Sequence, residues 1–263
     1  MDAEQVWKLW RRLLRDETLQ QQLFQAQGAT QWLQHFPEDE RTILEAYAGQ
    51  FDRVKWFVEN YQFRLVNSFT NALETGAPLT LRALINIGLD LPALSRTFLR
   101  EQDWFDFGPR VYSYCDAVLG FLLGRQELAE YPEIRDLIEL ERECVHLYTG
   151  LMDNAAAPVP GCYQRTALAR LHQSRFALSH WLRDKSQLGR GALEQTCEHI
   201  LVYLPNLEAR HKFTLISPHA ASLYTELEQP RLLEDLALQA PQNGADLAVL
   251  AKLHQLNAIR MPA

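Results

Sequence analysis

The hydrophobic pattern of this chain changes period once, near residue 153, and that change constrains the fold more than any other feature. Before it, apolar residues recur at helical spacing; after it, short runs alternate as strands do. Val6, Trp7, Trp10, Leu13 and Leu14 follow the i, i+3/i+4, i+7 spacing of an amphipathic helix. Asp16 is placed to cap a second helix, which continues through Leu19, Leu23 and Phe24 and stops near Gly28. Pro37 followed by Glu38, Asp39 and Glu40 gives the acidic first turn of another, running on through Ile43, Leu44 and Tyr47. The spacing predicts further helices over 51–74, 79–87, 91–100, 109–124 and 132–151, with Gly76, Gly88, Gly108 and Gly124 at the breaks.

Residues 153–161 (Asp-Asn-Ala-Ala-Ala-Pro-Val-Pro-Gly) contain small residues and two prolines and have no period, which marks a linker. The expected organisation is therefore a helical domain over 1–152, a linker over 153–162 and a second domain over 163–263. In the second domain, His199–Leu204 is a short β-prone run ended by Pro205-Asn206. In 210–216, His211, Phe213 and Leu215 alternate with Lys212 and Thr214, so the first three are expected to face inward and the other two outward. These runs form a hairpin over a five-residue loop. Ser217 then reads as an N-cap with Pro218 at the first helical position, opening a helix to about Glu228. Two more helices are expected at 231–239 and 246–256. Hairpin plus three short helices is the content of a winged-helix-like module, so the expected fold is mainly α, α+β, with a small antiparallel sheet.

Composition removes several function classes. The net charge of −7 is divided unevenly: residues 1–162 hold 15 Lys+Arg against 24 Asp+Glu, a net of −9, and residues 163–263 hold 11 against 9, a net of +2, with six of the eight histidines. An acidic chain lacks the concentrated basic face that sequence-independent nucleic-acid binding needs. The basic second part favours an acidic peptide. No apolar run approaches the ~20 residues of a membrane span. Met1-Asp2-Ala3-Glu4-Gln5 lacks the basic-then-apolar pattern of a signal peptide, so the cytoplasm is the expected compartment. Four cysteines (Cys115, Cys144, Cys162, Cys197) form no C-x-x-C pair, which argues against a zinc ribbon or a disulfide framework.

Catalytic motifs are absent: there is no G-x-S-x-G, H-E-x-x-H, P-loop or dinucleotide-binding glycine pattern. Glu141, Cys144 and His146 are three potential metal ligands, but on one helix His146 lies well around from the other two. If the stretch from His172 to His180 is extended, the two histidines fall on the same side, eight residues apart and too far to chelate together. The expectation is no catalytic residue, no metal and no cofactor in this chain.

A winged helix invites a DNA-binding reading, with the first domain as a sensor. Its third helix, however, offers Lys252, His254 and Gln255 against Asp246 and is otherwise apolar. A helical-bundle metalloenzyme is a further alternative. A small sheet with an open edge can instead add a strand from a peptide. On that reading the peptide lies along Arg210, His211, Lys212, Phe213, Thr214 and Leu215, and against Val249, Lys252 and Leu253 of the last helix. Thr214→Pro should then weaken peptide binding about tenfold, ~1.4 kcal/mol, and Thr214→Ala should not.

Several segments resemble the HvfC/MbnC/TglI-type partner proteins. Val58–Val66, with its tyrosine- and arginine-bearing helix, Phe98-Leu99 and Val111–Leu123 are similar to the helical region of that family. Tyr131-Pro132-Glu133-Ile134-Arg135-Asp136-Leu137-Ile138-Glu139-Leu140-Glu141 resembles its Y-P-x-L-x-x-L-x-x-L-E segment. Ala169–Phe176 through Trp181, His199–Leu204 and Ser217–Glu228 resemble its C-terminal module. The resemblance spans about residues 40–240 and is nearest to the TglI type. It implies a non-catalytic subunit forming a heterodimer with an iron-dependent, TIM-barrel-like enzyme. The subunit would bind the leader of a ribosomally made precursor and present its C-terminal cysteine, as in 3-thiaglutamate biosynthesis. The iron would belong to the partner, and neither nucleic acid nor membrane would be involved.

Overall fold

A computed structural model describes residues 2–25, 31–102, 111–151, 159–236 and 243–262. The chain is mainly α-helical with a small antiparallel sheet. In chain order the elements are α1 (Ala3–Leu13), α2 (Glu17–Gln25), α3 (Glu38–Ala48), α4 (Phe51–Gly76), α5 (Pro78–Asn86), α6 (Leu91–Glu101), α7 (Val111–Leu123) and α8 (Pro132–Gly150). They are followed by β1 (Gln164–Arg165), β2 (Ala169–Phe176), α9 (Leu178–Arg183), β3 (Gln195–Tyr203), β4 (Lys212–Ile216), α10 (Pro218–Glu226), α11 (Asn243–Gln255) and β5 (Ile259–Arg260). Asp16 caps α2 as its position predicts, accepting the Leu19 N–H at 3.0 Å.

The chain forms two compact units: 1–71 with 90–105, and 72–89 with 106–263. The first unit packs α1–α3 and the start of α4 around Leu9, Leu13, Leu23, Leu33, Ile43, Leu44 and Val58, all buried. In the second unit the three-stranded sheet has the order β2-β3-β4. One sheet face presents Ala169, Leu201 and Ile216 to Tyr224 and Leu227 at the α10 end and to Leu250 and Leu253 of α11. The other face meets α8.

These units do not divide at 153–162, of which residues 153–158 lie outside the described residues. The reason is that α8 belongs with the sheet. Asp136, Glu139 and Glu143 recur at i, i+3, i+7 on one stripe of α8. They meet, respectively, His172 and Ser174, Arg175, and Arg170 of β2. The acidic first part and the basic second part of the sequence thus complement each other inside one unit. A docked loop reinforces this. Gly189 has φ +70°, and a Cβ there would sit 2.9 Å from the Ala83 carbonyl of α5. Only glycine allows both that backbone and that approach.

The C-terminal elements depart from expectation in three ways. The hairpin forms, as β3 and β4, but β2 adds a third strand where only a conditional extended stretch was expected. The helix expected over 231–239 is not formed at 231–236, where Arg231 instead bridges to Tyr163 in antiparallel fashion. Residues 237–239 lie outside the described residues. Finally, β1 pairs with β5 and closes the module. The two-residue β1–β5 pairing and the single Tyr163–Arg231 bridge are too short to carry a hydrophobic alternation, which is why periodicity could not find them.

Candidate peptide-binding edge

The direction of each β4 amide follows from one bond. The Leu204 N–H donates to the Leu168 carbonyl at 2.8 Å, one step beyond the Ala169↔Tyr203 pair. Antiparallel pairs alternate between bonded and non-bonded, so Ile200 and Val202 also turn their N–H and C=O toward β2. His199, Leu201 and Tyr203 therefore turn theirs toward β4, where their partners are Ile216, Thr214 and Lys212. By the same alternation, His211, Phe213 and Leu215 point their backbone groups away from β3.

An independent contact agrees. The His211 N–H donates to the Tyr148 hydroxyl of α8 at 3.2 Å, and that hydroxyl lies 3.1 Å from the His211 Nδ1. Burial, with Lys185 and Arg210 as nearby positive charges, pushes the His211 imidazole below its ordinary pKa. A neutral ring can accept the hydroxyl proton while the hydroxyl accepts the amide. Tyr148 also stacks on Tyr112, with centroids 4.9 Å apart, and His211 meets Phe213 edge-on at 5.1 Å.

The open part of the edge is thus Phe213 and Leu215. β4 pairs with β3 alone among the described strands. The Leu215 carbonyl is approached by the Thr214 hydroxyl at 3.5 Å. Leu215 is 50% exposed, a large apolar side chain standing on an unpaired edge. Sheet edges of this kind are templates for another strand.

Of the residues expected to hold a peptide, Phe213 and Leu215 occupy this edge, and Arg210 and Lys212 are exposed beside it. The assignment of faces is corrected. Thr214 shares the α10/α11 side with Ile216, and Phe213 and Leu215 lie on the α8 side. Thr214 turns its amide into the sheet, so it offers no donor to a peptide. On α11, Lys252 is exposed and Val249 is half-buried against the core. Leu253 is 1% exposed and fully engaged in that core, beyond a peptide's reach. Asp246 is buried and paired with His219. Tyr148 was missed by sequence reasoning. It sits 63 residues from His211, and nothing in a helical period signals a hydroxyl aimed at a strand edge.

The polar side chains inside this unit bond to one another and to backbone groups. Asp136 is fully buried; one carboxylate oxygen is 3.0 Å from the His172 Nε2, and the other accepts the Ser174 hydroxyl at 2.6 Å and the Arg175 N–H at 2.8 Å. Burial raises its pKa, but those hydrogen bonds outweigh burial and hold it below the ordinary carboxylate value. Serine and histidine both bond the carboxylate, on separate oxygens. This is not the serine–histidine–aspartate relay of a hydrolase, in which histidine bridges the other two. Glu141 accepts the Leu79 and Thr80 N–H groups at 3.0 and 2.6 Å, closing the N-terminus of α5. Cys144 bonds its own helix at the Leu140 carbonyl, and His146 contacts Asp116 at 2.9 Å. These three potential ligands point to three different places. Among the described residues no group of three or more His, Cys, Asp or Glu converges as a metal site, and no helix is long and apolar enough to cross a membrane. No protein-family model matches the chain, and no curated protein is significantly similar to it.

Proposed function

We propose that this chain is a non-catalytic partner subunit that binds a ribosomally made precursor peptide as an added strand on β4. The bound peptide presents its C-terminal cysteine to a separate iron-dependent enzyme. The observation that carries the binding half is the open edge at Phe213 and Leu215, with the Tyr148 hydroxyl closing its upstream end. Two edge residues offer two N–H and two C=O groups, each backbone bond worth ~0.5–1.5 kcal/mol net. Such a site gives modest affinity and little side-chain selectivity from the backbone alone. That suits a clamp which supplies effective concentration and orientation to an enzyme.

The presenting half rests on the resemblance of Tyr131–Glu141 and the C-terminal module to the HvfC/MbnC/TglI-type proteins. In this reading iron and oxidative chemistry belong to the partner enzyme of a heterodimer, with 3-thiaglutamate biosynthesis the nearest parallel. The first unit supplies the docking surface. Trp7 and Trp56 on its surface are 48% and 58% exposed, and large aromatic side chains make effective interface anchors.

Amide hydrogen exchange tests the binding half. The full chain is compared with and without a synthetic peptide that ends in cysteine. Protection should appear at the Phe213 and Leu215 amides and leave the Thr214 amide, already bonded, unchanged. Saturating peptide that leaves both edge amides exchanging at the free rate refutes strand addition.

A further inference from the structure

The first compact unit carries an open apolar groove of about 1050 Å³ between α1 and α4, floored by α3. Its α1 wall is Val6, Trp7 and Trp10. Its α4 wall is the stripe Arg53, Phe57, Asn60 and Arg64, with Trp56 beside it. Positions 53, 57, 60 and 64 are spaced i, i+4, i+7, i+11, so they stand on one line along the helix. We infer that this groove receives an acidic amphipathic helix of a partner protein.

Three observations fix that chemistry. The groove is lined by two arginines and no carboxylate, within a stretch of sequence, 1–162, whose net charge is −9. Among the described residues neither Arg53 nor Arg64 has a carboxylate partner, although their neighbour Lys55 is paired with Glu59. Two arginines with no carboxylate partner among the described residues, standing at the ends of a groove lined mainly by apolar and aromatic side chains, select an anionic ligand with an apolar middle. Secondly, Arg53 and Arg64 are separated by eleven positions, roughly 16 Å along the helix at ~1.5 Å per residue. That is about three turns, the length of a docked helix laid in a groove and read at i, i+3/i+4, i+7 positions. Thirdly, a second copy of this chain fits poorly. A two-fold contact would set this same patch against itself, bringing arginines toward arginines with no acid from the groove lining of either copy. A flat lipid surface does not fill a trough between two helices.

This inference takes from the proposed function only that the first unit docks a partner; it adds the partner's chemistry. The two can fail separately, because the β4 edge is read by amide exchange and the groove by tryptophan emission. The probe is a synthetic, tryptophan-free helical peptide of about sixteen residues, with Leu and Ile along one stripe and glutamates eleven positions apart. Its control replaces those glutamates with lysines. Titrated into the full-length chain, the glutamate peptide should shift tryptophan emission saturably and bind at least about tenfold more tightly than the lysine peptide. The double variant Arg53→Glu/Arg64→Glu, both side chains being exposed on α4, should fold normally by circular dichroism and reverse that preference. Equal binding of the two peptides, or binding of neither, overturns the inference. So does an unchanged preference in the double variant. Sedimentation showing a dimer of the parent that this variant dissociates would assign the groove to a second copy. Arginine-dependent binding to phosphatidylglycerol vesicles would assign it to a membrane.

Discussion

Two adjacent prolines on β4 should behave oppositely, because neighbouring amides of an edge strand face opposite ways. Thr214 turns its N–H to the carbonyl of Leu201, which is fully buried. Thr214→Pro removes a ladder bond worth ~0.5–1.5 kcal/mol and orphans a buried carbonyl at ~1–3 kcal/mol. A loss of about 3 kcal/mol in folding stability is expected. Leu215→Pro removes an N–H that faces outward, which is where edge strands tolerate proline. Its side chain is half exposed, so the replacement forfeits about 1 kcal/mol of burial. Peptide binding should respond in the reverse sense. Leu215→Pro deletes an edge donor and sets a ring where the incoming strand must lie, costing at least about tenfold in affinity, ~1.4 kcal/mol. Leu215→Ala keeps the amide and separates backbone from side chain. Urea unfolding gives the stabilities and calorimetric titration with the precursor gives the affinities. If Leu215→Pro unfolds as readily as Thr214→Pro, the phase of the ladder is wrong. If a folded Leu215→Pro variant binds as tightly as the parent, the peptide lies elsewhere.

Two carboxylates of α8 should impose opposite pH dependences. Asp136 is held below its ordinary pKa, so its contribution is present above the unfolded value near 3.9 and is lost as pH falls through the folded one; Asp136→Asn should flatten the acid limb of a stability–pH curve. Burial pushes Glu141 up to about 7 against the pull of its two backbone hydrogen bonds, so its contribution is present below about pH 4.3 and is lost as pH rises toward 7. Glu141→Gln should therefore gain on the parent by up to about 3 kcal/mol between pH 4.5 and 8, and a gap that stays constant over that range refutes the assignment. At the docked loop, Gly189→Ala should cost ~2 kcal/mol or more in thermal unfolding, since it adds a close approach to the Ala83 carbonyl to the strain of a positive φ. Gly191→Ala, at φ +75° with open space around it, should cost only ~1 kcal/mol, and equal losses would exclude the close contact as the cause.

Local chemistry in the sequence determined most of the helices. Asp16 caps α2, Ser217 caps α10 by accepting the Ala220 N–H at 3.1 Å, and Pro132 opens α8 at its first position. Each such signal lies within a few residues of what it controls. The alternation in 199–216 likewise announced the hairpin. Alternation gives two faces, however, and does not say which one a helix will cover. The inward set assigned to His211, Phe213 and Leu215 proved to be the α8 side, partly exposed, while Ile216 met the α10/α11 core. Tertiary structure alone decided three further things. It joined α8 to the sheet through the Asp136 and Glu143 contacts across the proline-rich stretch, because charge pairing acts over distance in space and leaves no period in the chain. It placed the Tyr148 hydroxyl on the His211 amide, 63 residues away. And it set which β4 amides face out, a parity fixed by pairing with β3 and β2, so a one-residue change of register would have exposed Thr214 in place of Phe213 and Leu215.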